Sequence, residues 1–266
     1  MATRAERASS FGSIAEDYDR LRPGPPDEAI SWLLPDGCAL AVDLAAGTGL
    51  VSRALISHSE RVSHSERASH SERAGRADRV VAIEPDPRMA AVLRARSPGV
   101  SVLRGVGEAI PLADATVDAV LISSAWHWLD PDRAVPELAR VLRAGGRLCV
   151  LRSGLDQDAG WLRELRRPER SGRDEQLRDT MGSYQTLPRS GQFGDTAQEA
   201  FTFTRTMPVD DFIDLLATYS ALITASDQVR AADLGRVRSE LDRLFPAGGP
   251  IEVPMRTRCW RADRVA

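Results

Sequence analysis

The stretch "VDLAAGTGLVSRAL", residues 42–55, decides how this 266-residue chain folds. An apolar run starting at Cys38 holds one acid, Asp43, and breaks at Gly47-Thr48-Gly49 before a helical pattern takes over. A run without alternation reads as a strand buried on both faces. The glycines let the backbone turn sharply and approach a ligand where a Cβ would collide. Strand, glycine turn and helix together make the first crossover unit of an open parallel sheet, the place where such sheets bind ligands.

The same alternation continues outward. "RVVAIEP" and "VDAVLISSA" read as buried strands, with "VSVLRGV" a shorter one and "RLCVLRSG" the next. "GLVSRALIS", "DPRMAAVLRARS" and "DPDRAVPELARVLRAGG" read as the helices between them, the last running to Gly145-Gly146 as its stop. Residues 1–26 form a polar lead-in ending in "RLRPGPP", and "PDEAISWLL" is a helix with Pro and acids at its start. Beyond residue 155, "EAFTFTRTMP" and "IEVPMRTRCWRA" are strand-like and are separated by helices around 209–224 and 227–244. The expected fold is a doubly wound α/β sheet, mostly parallel and seven-stranded, with an antiparallel pair at one edge. Residues 1–36 would be a lead-in and cap helix, 37–154 the ligand-binding core and 155–266 the part that completes the sheet and an acceptor pocket.

Composition narrows the function. The net charge of −3 gives no electrostatic reason to expect nucleic acid or an anionic membrane. All 35 basic residues are Arg, and the Arg-rich stretch "RELRRPERSGRDEQLRD" is interleaved with acids, as a solvated face is. Three cysteines without paired spacing fit a reducing compartment. No apolar segment is long enough for a signal core or a membrane span, so the cytoplasm is the expected location. No metal-ligand spacing stands out either.

The strand after the glycine turn ends in Glu84, and an acid there can take both hydroxyls of a ribose. A dinucleotide fingerprint needs a small third residue for close helix packing, and here Ser52 takes that place, a near miss. There is no Lys for a phosphate loop. An acid on the strand before Gly-x-Gly suits a cationic ligand better than a pyrophosphate, and S-adenosylmethionine, with its sulfonium and ammonium, is such a ligand.

"VDLAAGTG", "VVAIEPDPRM", "GVGEAIPLADATVDAV", "SSAWHWLDP" and "ELARVLRAGGRL" follow one another in the order and spacing of class I SAM-dependent methyltransferases. The chain resembles most the small-molecule branch that includes trans-aconitate methyltransferase-like proteins. The resemblance implies S-adenosylmethionine as cofactor and a role for each matching residue. Asp43 and the turn Ala45, Gly47, Thr48 and Gly49 would lie against the methionine part and ribose, and Glu84 would bind the ribose hydroxyls. Pro85 and Met89 would flank the adenine, with Gly107 and Glu108 at its edge. Ser123 and Ser124 would border the methionine end, and Tyr18 and Arg22 would lie over the mouth. Two positions depart from the family pattern: Ala45 stands where Gly is frequent, and Val106 where many relatives offer the adenine a polar group.

Methyl transfer from a sulfonium is an in-line displacement that needs the nucleophile held on axis and water kept out. No nucleophilic residue or metal is required. His127, in "AWHWLD", is the one candidate base; alternatively it packs between Trp126 and Trp128 and bonds a loop carbonyl. Tyr219 and the region of Trp161 are candidates for the acceptor pocket. The expected partner is a small-molecule acceptor with an O, N or C nucleophile, for a monomer or homodimer. An NAD-type oxidoreductase and a non-catalytic SAM-binding protein are the alternatives.

One feature lies outside the family pattern. "SHSER" recurs at residues 57, 63 and 69. Glu84 follows Gly49 by 35 residues, where about 20 is usual, so the array reads as an insert over 57–78 between the first crossover helix and the second strand. Six residues advance a helix by about 600°, so His58, His64 and His70 share no face for a metal. An exposed helical extension would be held by Glu60–His64 and Glu66–His70 pairs.

Overall fold

A sheet covered on both faces is the only structure that buries unbroken apolar strands, and the computed structural model has one. It describes residues 10–64, 75–165 and 191–265. Strands β1 (Cys38–Leu44), β2 (Ala77–Ile83), β3 (Ser101–Leu103), β4 (Val117–Ser123), β5 (Leu142–Leu155), β6 (Ala197–Pro208) and β7 (Pro250–Asp263) form a single seven-stranded sheet in the order β3-β2-β1-β4-β5-β7-β6. The first five pair in parallel; β7 runs antiparallel to both β5 and β6. The order reverses between β1 and β4, and the ends of strands at such a switch point are where open α/β sheets receive ligands.

The α-helices among the described residues are α1 (Ala15–Leu21), α2 (Asp27–Leu33), α3 (Leu50–His64), α4 (Pro87–Arg96), α5 (Pro131–Val141), α6 (Val209–Ala217), α7 (Ser220–Ile223) and α8 (Asp227–Leu244). On one face Val42, Leu44, Val120, Ile122, Leu148 and Val150 pack against Ala134, Val135 and Leu138 of α5. On the other, Ala41, Ala119, Leu121, Cys149 and Leu151 meet Ile30 and Leu33 of α2 and Val51 and Leu55 of α3. All three cysteines are buried free thiols. Two helices start alike: Asp86 accepts from the Arg88 N–H and Asp130 from the Asp132 N–H, each followed by a proline in the first turn. Both features fix where a helix begins, so the loops before them are held.

Three local expectations change. The helix expected to run to Gly145-Gly146 stops at Val141, and β5 starts at once. Both glycines belong to the strand: Gly145 has φ +72°, and a Cβ on Gly146 would lie 2.8 Å from the Arg143 carbonyl oxygen. The polar lead-in contains α1, whose apolar contacts come from Ala15, Tyr18 and Leu21, three residues apart. That spacing is too sparse to stand out in the sequence. The first copy of the hexapeptide belongs to α3, which runs on to His64 rather than ending before an insert, and β2 has begun by Ala77. The rest of the array, its expected Glu–His pairs and most of the Arg-rich stretch lie outside the described residues and side chains.

Candidate active site

The turn between β1 and α3 is built by two buried acids. Asp43 is almost fully buried, and its Oδ2 accepts from both the backbone N–H (2.8 Å) and the hydroxyl (2.7 Å) of Ser52. Burial pushes its carboxyl up to about 6, against those two hydrogen bonds. Asp43 therefore holds the first turn of α3 onto the strand. Ser52, the residue that spoils the dinucleotide fingerprint, is there for this bond.

Glu84 is the second acid. Its Oε2 accepts from the Gly47 N–H and its Oε1 from the Asp86 N–H, each at 2.8 Å. Burial raises its carboxyl to about 7, with the two N–H donors pulling the other way. Backbone alone fixes it among the described residues, so each oxygen keeps a lone pair for a ligand donor.

The three glycine-turn positions do different work. Gly47 has φ +57°, and a Cβ there would meet nothing within 4 Å, so the space beside it is open. Gly49 has φ +85°, and its Cβ would come within 2.7 Å of Leu93 on α4, so it serves close packing. Ala45 holds φ +55° without being glycine, and Ser124, beyond the end of β4, holds φ +53°. Left-handed backbone at non-glycine residues costs about 1–3 kcal/mol each. Both lie at the crevice mouth, where such strain gathers.

The N-terminal segment crosses that mouth. The rings of Tyr18 and Phe11 meet edge to face at 5.9 Å, Phe11 meets Trp128 at 6.4 Å, and Trp128 lies against His127 at 4.2 Å. This aromatic chain ties α1 to the turn after β4, with Trp126 anchored in the core. Burial raises the Tyr18 hydroxyl's pKa; the Arg22 guanidinium opposes this, and Tyr219, Glu84 and Asp43 add to it. Tyr18 thus stands near both acids, with Arg22 over its ring at 5.2 Å. Arg22 lies over the Tyr219 ring at 3.8 Å and donates to the Thr218 carbonyl at 3.0 Å.

The switch point thus carries a buried acid held by backbone N–H groups, an open glycine and an aromatic cover. Residues 42–150 match the methyltransferase domain family. A protein of Mycobacterium bovis named an uncharacterized methyltransferase is 40% identical over 264 residues, covering 98% of each chain. The chain belongs to the methyltransferase family. A putative type II methyltransferase from Anaeromyxobacter dehalogenans shares the fold, with a TM-score of 0.65, 24% identity and coverage of 91% of this chain and 97% of that one. A phosphoethanolamine N-methyltransferase of Haemonchus contortus, solved with S-adenosylhomocysteine, shares it at TM-score 0.52 and 13% identity, covering 100% of this chain and 61% of that one.

Within this methyltransferase the remaining expected residues fall into two groups. Thr48 is fully buried in the turn, and its Oγ1 has no partner among the described residues. Ser123 and Ser124 stand half-buried at the end of β4, and Pro85 is exposed on the loop after Glu84. The others are committed to packing. Met89 is buried against Tyr18 and Phe11. A Cβ on Gly107 would strike Leu129 at 2.7 Å, and Glu108 accepts from the Asp130 N–H at 2.8 Å, so this pair pins the loop before α5. Trp161 donates to the Glu252 carbonyl and packs on Phe212 and Phe245, in the C-terminal cluster. Sequence reasoning singled out Ser52 only as a departure from the dinucleotide fingerprint and missed its bonds to Asp43, although its spacing nine residues past that acid is visible. No group of three or more His, Cys, Asp or Glu that could hold a metal exists among the described residues, and none of the described helices is long and apolar enough to cross a membrane.

Proposed function

We propose that this methyltransferase moves the methyl group of S-adenosylmethionine to an O, N or C nucleophile of a small-molecule acceptor, in the cytoplasm, as a relative of the trans-aconitate methyltransferase-like branch. The observation that carries the cofactor is Glu84, a buried carboxylate held among the described residues by two backbone N–H groups, one of them from Gly47, where a Cβ would meet nothing within 4 Å. The unpartnered Thr48 hydroxyl fits the same group. When bound, the cofactor supplies an electrophilic methyl on a good leaving group. The chain's part is then to bind and orient: Glu84 takes the ribose hydroxyls, the turn from Ala45 to Gly49 lines the sugar and methionine, and Ser123 and Ser124 border the reacting end. Pro85 and Met89 flank the adenine, with Gly107 and Glu108 fixing the loop at its edge.

The aromatic chain from Tyr18 to His127 keeps water from the mouth, which strengthens every electrostatic contact inside. A carboxylate acceptor needs no base. For a protic acceptor, His127, oriented by its stacking on Trp128, takes the proton.

Calorimetry tests the reading. Wild type should bind S-adenosylhomocysteine and not NAD, and Glu84→Ala should weaken that binding by about 100-fold, the worth of two hydrogen bonds to a charged group. Undiminished binding by Glu84→Ala would place the pocket elsewhere. Product formation with a panel of acids, phenols and amines then names the acceptor.

A further inference from the structure

The sheet ends differently at its two edges. β3 is three residues long, the short kind of edge that limits pairing with another chain. β6 is twelve residues long, pairs with β7 in unbroken register from Ala197 to Pro208, and has no strand on its other side among the described residues. A long, regular, open edge is a template for another strand.

The ladder decides which peptide groups that edge offers. The Arg264 N–H donates to the Gly146 carbonyl, toward β5, whereas the Asp263 carbonyl accepts from Gly194, just before β6. Peptide groups alternate in direction along an antiparallel strand. Odd-numbered residues of β7 therefore face β6, and the register sets them against odd-numbered residues of β6. Gln198, Ala200, Thr202, Thr204 and Thr206 are left with N–H and C=O turned outward. Ala200 agrees: its N–H takes the carboxylate of its neighbour Glu199 at 3.0 Å. Pro208, the next in the row, has no N–H and closes it.

The side chains fit a second β6. With two such strands antiparallel and Thr202 opposite its own counterpart, every residue from Ala197 to Met207 has an opposite, and opposed residues share a face. Glu199 meets Arg205 of the second copy, and Arg205 meets Glu199 of that copy. Neither is in an ion pair within its own chain among the described residues: Glu199 holds the Ala200 N–H, and Arg205 donates to the Leu21 carbonyl at 2.5 Å. Phe201 meets Phe203 twice. Both rings are half-buried, Phe201 against Trp32 of α2 and Phe203 beside the C-terminal cluster. On the exposed face Thr202 meets Thr202 and Ala200 meets Thr204. The neighbouring registers set Glu199 against Phe203 or Met207 instead, so charge selects this one. In it the Thr204 carbonyl of the second copy becomes the acceptor for the Ala200 N–H, which frees Glu199 for Arg205.

We propose that β6 pairs antiparallel with β6 of a second copy, about a two-fold axis at Thr202, so that two chains share one continuous sheet as a homodimer. Such an interface is self-complementary, as a two-fold contact must be. Because Arg205 also holds the end of α1, the interface reaches the helix that crosses the crevice mouth.

Sedimentation velocity over a dilution series tests the pairing. Wild type should sediment as two chains and dissociate on dilution. Thr202→Pro removes an outward N–H and no bond to β7, so it should raise the dimer dissociation constant at least about tenfold while the chain stays folded by circular dichroism; Thr202→Val should leave it within about threefold. Glu199→Arg alone and Arg205→Glu alone each oppose like charges twice and should weaken the dimer at least about tenfold. An equal mixture of those two variants should dimerise again, because each Arg then meets a Glu; that recovery identifies the register. Should Arg205→Glu fail to fold for want of its bond to Leu21, Thr202→Pro and Glu199→Arg decide. A wild type that remains a single chain at every concentration overturns the proposal, and so does a dimer that neither Thr202→Pro nor Glu199→Arg weakens.

Discussion

The Gly47 N–H donates to Glu84 Oε2 at 2.8 Å, joining the turn after β1 to the end of β2. The bond fixes the carboxylate that we propose takes the ribose hydroxyls, and burial holds that carboxyl near 7. Ribose hydroxyls donate to the ionised form, so binding should favour it. S-adenosylhomocysteine affinity should therefore rise with pH up to about 7 and level off above. Below that pH, complex formation should release up to one proton, measurable by calorimetry in buffers of different ionisation enthalpy. The ligand-free protein shows the opposite trend. A raised carboxyl binds its proton more tightly folded than unfolded, so stability falls as pH climbs from about 4.5 to about 7. Affinity that is flat across this range would remove Glu84 from the ligand.

Gly47 and Gly49 make a sharper test because their surroundings differ. Gly49→Ala must adopt φ +85° with its Cβ 2.7 Å from Leu93, so thermal unfolding should show a loss of about 2 kcal/mol or more. Gly47→Ala meets no atom and should lose only the about 1–2 kcal/mol of its left-handed backbone. Its methyl would stand in the ligand space, so S-adenosylhomocysteine binding should fall at least tenfold. A Gly47→Ala protein that keeps full affinity would mean the ligand lies elsewhere.

The sheet was legible because its strands are buried on both faces: "VDAVLIS" has no alternation to misread, and Gly47, Gly49 and Glu84 sit at its punctuation. What escaped was anything set by tertiary packing. Gly107 has the same letter as Gly47 yet serves Leu129, and helix α1 stands on three apolar contacts drawn from distant elements. The repeated pentapeptide likewise gave no sign that the histidine of its first copy would be buried.

Ser52 should prove a stability residue rather than a binding one. Its hydroxyl and N–H both donate to the buried Asp43 Oδ2. Ser52→Ala removes one of them from a carboxyl that burial already disfavours, and urea unfolding should report a loss of about 1–3 kcal/mol. Ser52→Thr, which keeps the hydroxyl, should lose less. Equal losses for both would assign the effect to packing.

The hexapeptide array divides on the same logic. His58, in the first copy, is only 6% exposed, 3.9 Å from Asp27 of α2, and burial lowers its pKa. His58→Ala opens a hole between α2 and α3 and should cost about 1–3 kcal/mol. Because the folded imidazole resists protonation, the protein should lose stability as pH falls below about 6.5, until the folded imidazole protonates as well. Deleting residues 69–74, one whole copy, should leave S-adenosylhomocysteine affinity unchanged: the array joins α3 to the start of β2, and Glu84 lies at the other end of that strand. A tenfold loss on deletion would tie the repeat to the site.

His127 separates acceptor chemistries. Its ring lies against Trp128, at the mouth that Phe11 and Tyr18 close. Positioned base catalysis contributes typically ~10²–10⁴-fold in rate. His127→Ala should therefore cut kcat by about 100-fold for a phenol or amine acceptor, leave S-adenosylhomocysteine affinity within about threefold, and abolish the acidic limb of the pH–rate profile. With a carboxylate acceptor there is no proton to remove, and the same variant should retain most of its kcat. An equal loss for both acceptor types would show that His127 acts by holding Trp128 over the mouth, in which case His127→Phe should restore the rate and His127→Ala should not.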